Sequence, residues 1–350
     1  MPVSIVVGGQ FGSEGKGKVS LELARRARRS NIPTTVVRVG GPNSGHTGYD
    51  KSGKKFALRQ LPAGCIDRDV DVVFPAGSYI DVDLLLAEVS ELDFPRSRIT
   101  ISHHARVITQ EHKDWEHNGD LIQSIGSTGA GVGAAVMAAV ARRSKNFELT
   151  SLEAQDSASL QRFLGNSTDV LRKKLDNSHR VIIEGTQGFG LSLLDGGYWP
   201  KATSRSTTAA AALAETGLSP LDVDDVTLVI RSFPIRVAGD SGPLPNEVSW
   251  DYVSSLTGRR AAEIQEYTTV TKKLRRVGKF DPALVRAAIA ANRPNRIVMN
   301  HLDYIGGEGG WGTKLRADFI KLVEEEIDQS IDWWGVGPLQ CIDQPSENAV

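Results

Sequence analysis

Residues 3–18 read VSIVVGGQFGSEGKGK, an apolar run followed by a loop with five glycines and two lysines. The run predicts a buried strand, and the next segment, GKVSLELARRARR, repeats its apolar residues at helical spacing. Strand, glycine-rich loop and helix together aim backbone N–H groups and a helix N-terminus at an anion. Gly8, Gly9, Gly12, Gly15 and Gly17 let the backbone approach a phosphate closely, and Lys16 and Lys18 add positive charge. Neither standard fingerprint fits. A GxxxxGK[ST] loop ending on Gly15–Lys16 would need a glycine at Gln10 and a hydroxyl at Gly17. Ending on Gly17–Lys18, it meets Val19 where the magnesium-binding hydroxyl belongs, and a GxGxxG pattern from Gly15 ends on Ser20. The loop therefore reads as a nucleotide phosphate cradle of another kind, the bland alternative being a flexible turn.

Working outward, TTVVRVGG, DVDVVFPAG, RVIIEG, VTLVIRSFPIRV and NRIVMNHLD read as buried strands rich in Val and Ile. DVDLLLAEVSEL, TTAAAALAETG, DPALVRAAIAANRP and LRADFIKLVEEEIDQ read as helices between them. This alternation predicts an α/β fold, a mostly parallel central sheet with helices on both faces. No repeat or linker divides residues 1–350, so one elaborated domain is expected, with a mainly helical insertion around 101–175.

The bulk numbers exclude several classes. With 41 basic and 42 acidic residues the net charge is -1, so no field steers the chain to nucleic acid or an anionic membrane. The cysteines, Cys65 and Cys341, form no CxxC pair, which suits a reducing, cytoplasmic compartment. No run approaches the roughly 18 apolar residues that span a bilayer.

A second glycine cluster, VGGPNSGHTG at 39–48, follows the next strand and places His46 and Thr47 among glycines. A histidine beside a triphosphate's β–γ bridge can donate a proton to the leaving oxygen. Two such loops at the carboxyl ends of strands define a ligand crevice in an open α/β sheet.

The pieces GGQFGSEGKGK, GGPNSGHTG, IGSTGAGVG with VARR, EGTQGFGLSLLDGGYWPKATSRSTTAA, IRVAGDSGPLPNE, TTVTKKLRRVGKFD, NHLD and GVGP run in order from residue 8 to residue 338. In that order they resemble the adenylosuccinate synthetase family. The resemblance implies a P-loop-NTPase-like fold and a carbon–nitrogen ligase of purine nucleotide biosynthesis. The family phosphorylates purine O6 with a nucleoside triphosphate and Mg2+, then lets the amine of L-aspartate displace that phosphate at C6. By motif, Ser13, His46 and Gln187 fall on catalytic positions, and Ser13 and the Gly45 carbonyl on magnesium-ligand positions. Gly12, Ser13, Glu14, Gly15, Lys16, Gly17, Lys18, Gly45, His46, Thr47, Arg275, Asn300, Asp303 and Gly337 match the triphosphate site. Ser13, Asn43, Ser127, Thr128, Gln187, Thr203 and the Val237 backbone match the monophosphate site. Arg142 matches an arginine that reaches it from a neighbouring subunit, which implies a homodimer. Thr269, Val270, Thr271, Lys273 and Arg275 match the aspartate loop, with Lys273 standing in for an arginine and Ala130 replacing another nearby.

The main departure is Ser13, where the family carries an aspartate that acts as base at purine N1. A hydroxyl is a poor base unless a neighbour takes its proton. It is also shorter, and shortening frees space beside N1 for the 2-amino group of a guanine-type base. This serine, the short chain and TTVTKKLRR resemble the phage-encoded branch that makes 2-aminoadenine nucleotides. That resemblance implies dGMP and L-aspartate as substrates, N6-succino-2-amino-2'-deoxyadenylate as product, and the host cytoplasm as location. It also implies ATP or dATP as phosphoryl donor. Asp303 by itself favours GTP, because a carboxylate pairs with guanine N1–H and its 2-amino group, but His301 replaces the lysine of an NKxD motif. His112 and His117 would lie roughly 140° apart on a helix, so with His103 and His104 they read as packing and surface residues rather than a zinc site. An ordinary synthetase acting on IMP with GTP, and a GTPase-like sensor without ligase activity, remain as alternatives.

Overall fold

The computed structural model describes residues 2–268, 272–306, 314–339 and 341–343. The strands of its main sheet are β1 (Val3–Gly8), β2 (Thr34–Arg38), β3 (Asp71–Phe74), β4 (Ile99–Ser102) and β5 (Leu164–Gly165). They continue with β6 (Arg180–Glu184), β7 (Val223–Arg231), β8 (Arg296–Asn300), β9 (Trp333–Trp334) and β10 (Ile342–Asp343). Their order across the sheet is β5-β4-β3-β2-β6-β1-β7-β8-β9-β10. Every neighbouring pair is parallel except β9 with β10.

Side chains alternate along each strand, so both faces of a parallel sheet are buried. Val6, Val36, Val72, Ile182, Val229 and Val298 join one core, with Val19 and Leu21 of the helix Lys16–Arg29 packed on them. Ile5, Val7, Val37, Val73, Ile183, Leu228, Ile230 and Met299 join the other. That face is covered by the helices Ala209–Ala214, Pro282–Asn292 and Lys314–Ile327. The paired tryptophans pack: Trp333 enters the first core and Trp334 the second.

Two sequence expectations change. VTLVIRSFPIRV is not one strand: β7 stops at Arg231, and Ile235–Arg236 pairs instead with Arg276–Gly278 in a small antiparallel sheet completed by Glu247–Val248. Pro234, which has no N–H to give a ladder, sits at the break and accepts from the Gly278 N–H at 2.9 Å. The segment 101–175 contains the helices Gln110–Asn118, Leu121–Ser124, Val132–Ala141 and Ser167–Asp176, but it also supplies β5 to the sheet edge.

Ile182 lies in a central strand with no exposed surface. Ile182→Ala is expected to destabilise the fold by about 2–5 kcal/mol, read as a lowered urea midpoint. Leu221→Ala, at a site 87% exposed, should change stability by no more than about 0.5 kcal/mol.

Candidate functional site

All five central strands point their carboxyl ends the same way, and the chain reverses its order across the sheet at β1. A ligand crevice forms at such a switch point. Four strands end there on polar groups that are almost fully buried: Arg38, Glu184, Arg231 and Asn300. Sequence reasoning missed the first three. Their signal was present, as an ionisable residue closing an apolar run just before the chain turns.

The phosphate loop between β1 and the first helix is built from left-handed residues, with φ +92° at Gly12, +58° at Ser13 and +92° at Gly15. Gly17 is needed for close approach, since a Cβ there would sit 2.8 Å from the Cβ atoms of Ala63 and His46. Glu14 is fully buried and holds the loop from inside. Its Oε1 accepts from the N–H groups of Gly12 (2.8 Å) and Gln10 (3.1 Å), and its Oε2 from Lys16 Nζ (2.8 Å). Asn300 Nδ2 donates to the Glu14 carbonyl at 2.8 Å, which fixes the base of the loop. The helix itself opens on Gly15 without a side-chain cap or an acidic residue in its first turn, which suits an anion. Lys16 is thus an internal counter-ion of Glu14, and the charge expected of it at the phosphates is already engaged.

His46 meets Glu184 Oε1 at 2.5 Å through Nδ1, and Arg38 Nη1 lies 2.8 Å from the same ring nitrogen. Glu184 also accepts from the backbone N–H groups of Ala63 (2.9 Å) and Gly64 (3.2 Å). Burial and the Arg38 charge hold the His46 pKa down to about 4. Burial alone would raise Glu184, but His46 and Arg38 beside it keep its carboxyl at about 2. The imidazole is therefore neutral near pH 7 and oriented by an ionised carboxylate. Gly45 and Thr47 flank it on the surface.

Ser13 is exposed at the crest of the phosphate loop, and Arg275 Nη1 donates to its Oγ. Arg231, which has no exposed side-chain surface, donates to the Ser13 carbonyl at 2.9 Å and pairs with Glu266. Tyr304 Oη donates to the same glutamate at 3.1 Å. Glu266 and Arg275 bracket the predicted aspartate loop, and the Arg275 N–H bonds the Glu266 carbonyl at 2.9 Å. Within that loop Lys273 is exposed and its N–H donates to Thr268 Oγ1 at 3.0 Å. Thr269, Val270 and Thr271 lie outside the described residues. Glu266 was also missed, because a lone acidic residue before a basic loop looks like a surface charge.

The monophosphate candidates gather from separate segments. Asn43 Nδ2 donates to Thr203 Oγ1 at 3.4 Å, and Gln187, itself at φ +61°, lies against Gly12. Ser127 Oγ accepts from the Gly129 N–H at 3.3 Å, next to Thr128. Gly126 packs on Ser241, whose hydroxyl donates to the Val237 carbonyl at 2.5 Å, so the two glycine-flanked segments meet. Arg142 stands apart, exposed at the end of the helix Val132–Ala141 with φ +53°. At the β8 end, Lys18 Nζ donates to the Gly337 carbonyl at 2.9 Å, and the Gly337 N–H donates to Asp303 Oδ1 at 3.3 Å. His112 caps its own helix through Thr109, and His117 bonds the Lys113 carbonyl. Among the described residues no group of three or more His, Cys, Asp or Glu is arranged as a metal site, and no helix is long and apolar enough to cross a membrane.

The adenylosuccinate synthetase family profile matches residues 5–156 and 145–308. This chain belongs to the adenylosuccinate synthetase family. It is thus a carbon–nitrogen ligase of the adenylosuccinate synthetase type. The adenylosuccinate synthetase of Methanococcus aeolicus is 36% identical over 348 residues, 97% of each chain. That of Methanocaldococcus jannaschii is 37% identical over 345 residues, 96% of this chain and 94% of the relative. Among solved structures, the succinoaminodeoxyadenylate synthetase (PurZ) of cyanophage S-2L, bound to dGMP and to dATP as an energy donor, superposes with a TM-score of 0.81. It is 29% identical, and the match covers 99% of this chain and 96% of the phage enzyme. The fully ligated adenylosuccinate synthetase of Plasmodium falciparum, 20% identical, shares the fold with a TM-score of 0.82 over 99% of this chain and all of that one.

The His46 geometry has a pH signature. The unfolded chain protonates this ring near pH 6.5, whereas the folded one does so only near pH 4. Between those values the unfolded state binds more protons, so stability falls as pH falls, by up to about 1.4 kcal/mol per unit. His46→Asn should remove that slope. Urea midpoints at pH 6.5 and 4.5 test it, and an unchanged pH dependence in the variant would contradict the assignment.

Proposed function

We propose that the protein, as one elaborated α/β domain, joins L-aspartate to C6 of dGMP, giving N6-succino-2-amino-2'-deoxyadenylate in 2-aminoadenine nucleotide synthesis. ATP or dATP is the donor in this reading. O6 attacks the γ-phosphorus, the N1 proton passes to water, and the nucleoside diphosphate departs. The aspartate amine then adds at C6 and inorganic phosphate is expelled.

The carrying observation is the character of residue 13. The phosphate loop presents a hydroxyl at its crest, and its one carboxylate, Glu14, is turned inward with donors on both oxygens. No carboxylate of the loop therefore reaches the crest, and a hydroxyl, shorter than an acidic side chain, leaves room for a 2-amino group once the base displaces the Arg275 guanidinium that meets it here. The phage PurZ likeness supports this substrate. The 36–37% identity to archaeal adenylosuccinate synthetases favours a second reading, an enzyme acting on IMP with GTP.

The other roles are those the family motifs imply. His46, held by Glu184, faces the β–γ bridge; triphosphate charge brought against the ring raises its pKa, so that the ring takes up a proton from solvent and passes it to the departing oxygen. Gln187 contacts O6, while Asn43, Ser127, Thr128 and Thr203 hold the 5'-phosphate and the Val237 backbone the sugar. Lys273, Arg275 and residues 269–271 take the two carboxylates of aspartate. Ser13 and the Gly45 carbonyl, both on exposed residues, are neutral oxygen donors of the kind that suits Mg2+ carried on the triphosphate. When bound, that ion neutralises phosphoryl charge. A homodimer, with Arg142 reaching the neighbouring site, completes the proposal.

Initial rates with dGMP and IMP, each with aspartate and ATP, dATP or GTP, test the reading. The protein is expected to consume dGMP and leave IMP nearly untouched, with Ser13→Asp moving the kcat/KM ratio at least about tenfold toward IMP. Faster turnover of IMP by the unaltered protein would establish the second reading instead, and phosphate release independent of aspartate would defeat both.

A further inference from the structure

Arg259 follows the helix Trp250–Thr257, beyond Gly258. Its backbone is pinned there, the N–H to Thr257 Oγ1 at 2.9 Å and the carbonyl to the Ser254 hydroxyl at 2.5 Å. The side chain extends from this fixed point to Asp303, with Nη1 3.6 Å from Oδ2. The other carboxylate oxygen takes the Gly337 N–H. Both oxygens of Asp303 thus already face donors, and each partner of the pair keeps about a quarter of its side chain exposed, 28% and 26%.

We propose that Arg259 sets the base preference of the triphosphate site, turning it from guanine to adenine by occupying Asp303. The inference rests on Asp303 facing the donor base, as the family resemblance implies, and on the adenine-nucleotide donor of the proposed function. Guanine presents two donors on one edge, N1–H and the 2-amino group, and needs an acceptor with free lone pairs. A guanidinium carries only donors, so it competes for that acceptor and opposes the same edge of the base. Adenine presents an acceptor at N1 beside a donor at its 6-amino group. A paired guanidinium and carboxylate offer the complementary donor and acceptor. Discrimination arises because guanine, even with O6 accepting from the guanidinium, leaves its 2-amino group without a free acceptor, a group adenine does not have. Arg259 acts through Asp303 and so is a positioning residue.

The test is the ratio of kcat/KM for ATP and GTP, measured by aspartate-dependent phosphate release with whichever monophosphate the protein uses. Arg259→Gln is expected to move the ratio toward GTP on the order of tenfold or more, mostly through KM for the triphosphate. Arg259→Lys, which keeps the charge, should retain the preference for ATP. Thermal melts of all three proteins separate a specificity change from misfolding. An unmoved ratio in a folded Arg259→Gln protein that uses ATP would overturn this inference alone, as would an Arg259→Lys ratio shifted as far as that of Arg259→Gln. Preference for GTP in the unaltered protein would overturn the donor reading as well.

Discussion

A guanidinium with no exposed surface ties the phosphate loop to the turn that faces it. Arg231, the last residue of β7, gives one N–H to the Ser13 carbonyl and pairs with Glu266, while Arg275 from the far end of the turn holds the Ser13 hydroxyl. Arg231 has no exposed surface while Glu266 keeps 22% of its side chain exposed, so loss of the glutamate would leave a buried guanidinium without its partner. This clasp therefore cannot loosen cheaply. In the proposed reaction, phosphoryl transfer to O6 and amine attack at C6 occur on neighbouring atoms of one base, so the two loops proposed to serve them have to meet. Residue 13 is where they do.

The acidic groups around that point are each engaged by protein donors, Glu266 by Arg231 and Tyr304. Glu14 turns inward to hold the loop, and Glu184 is enclosed by Arg38, His46 and two backbone N–H groups. Each carboxylate organises a neighbour instead of meeting the ligand. What faces the crevice from the phosphate loop is a hydroxyl and a run of backbone in left-handed conformation, a surface suited to anions and to a base edge that itself carries donors. Preorganisation of this kind serves catalysis because the groups need not rearrange as charge develops.

Much of this was legible in the sequence, for identifiable reasons. Parallel strands buried on both faces leave long Val- and Ile-rich runs, and Gly12, Gly15 and Gly17 advertise a backbone that must bend or come close. Family motifs placed His46, Asn43, Thr203 and Gln187 around those loops, and the structure brings Asn43 to Thr203 and Gln187 to Gly12. Charge was harder to read. Spacing marks Lys16 as a phosphate ligand but does not reveal that Glu14, two residues earlier, is buried beside it and pairs with it. Arg38, Glu184 and Arg231 looked like strand ends, and only the assembled sheet shows three ionisable side chains converging at one edge. VTLVIRSFPIRV looked continuous because its apolar pattern carries across Pro234, where the ladder does not.

The proposed substrate choice depends on the fit between a shortened side chain and an aminated purine. A crystal structure with dGMP, aspartate and an unreactive triphosphate bound examines that fit directly. The 2-amino nitrogen should lie against Ser13, within about 4 Å of its Oγ, with the amide of Gln187 on O6. A base turned so that this nitrogen points away from residue 13, with empty space left beside the serine, would contradict it.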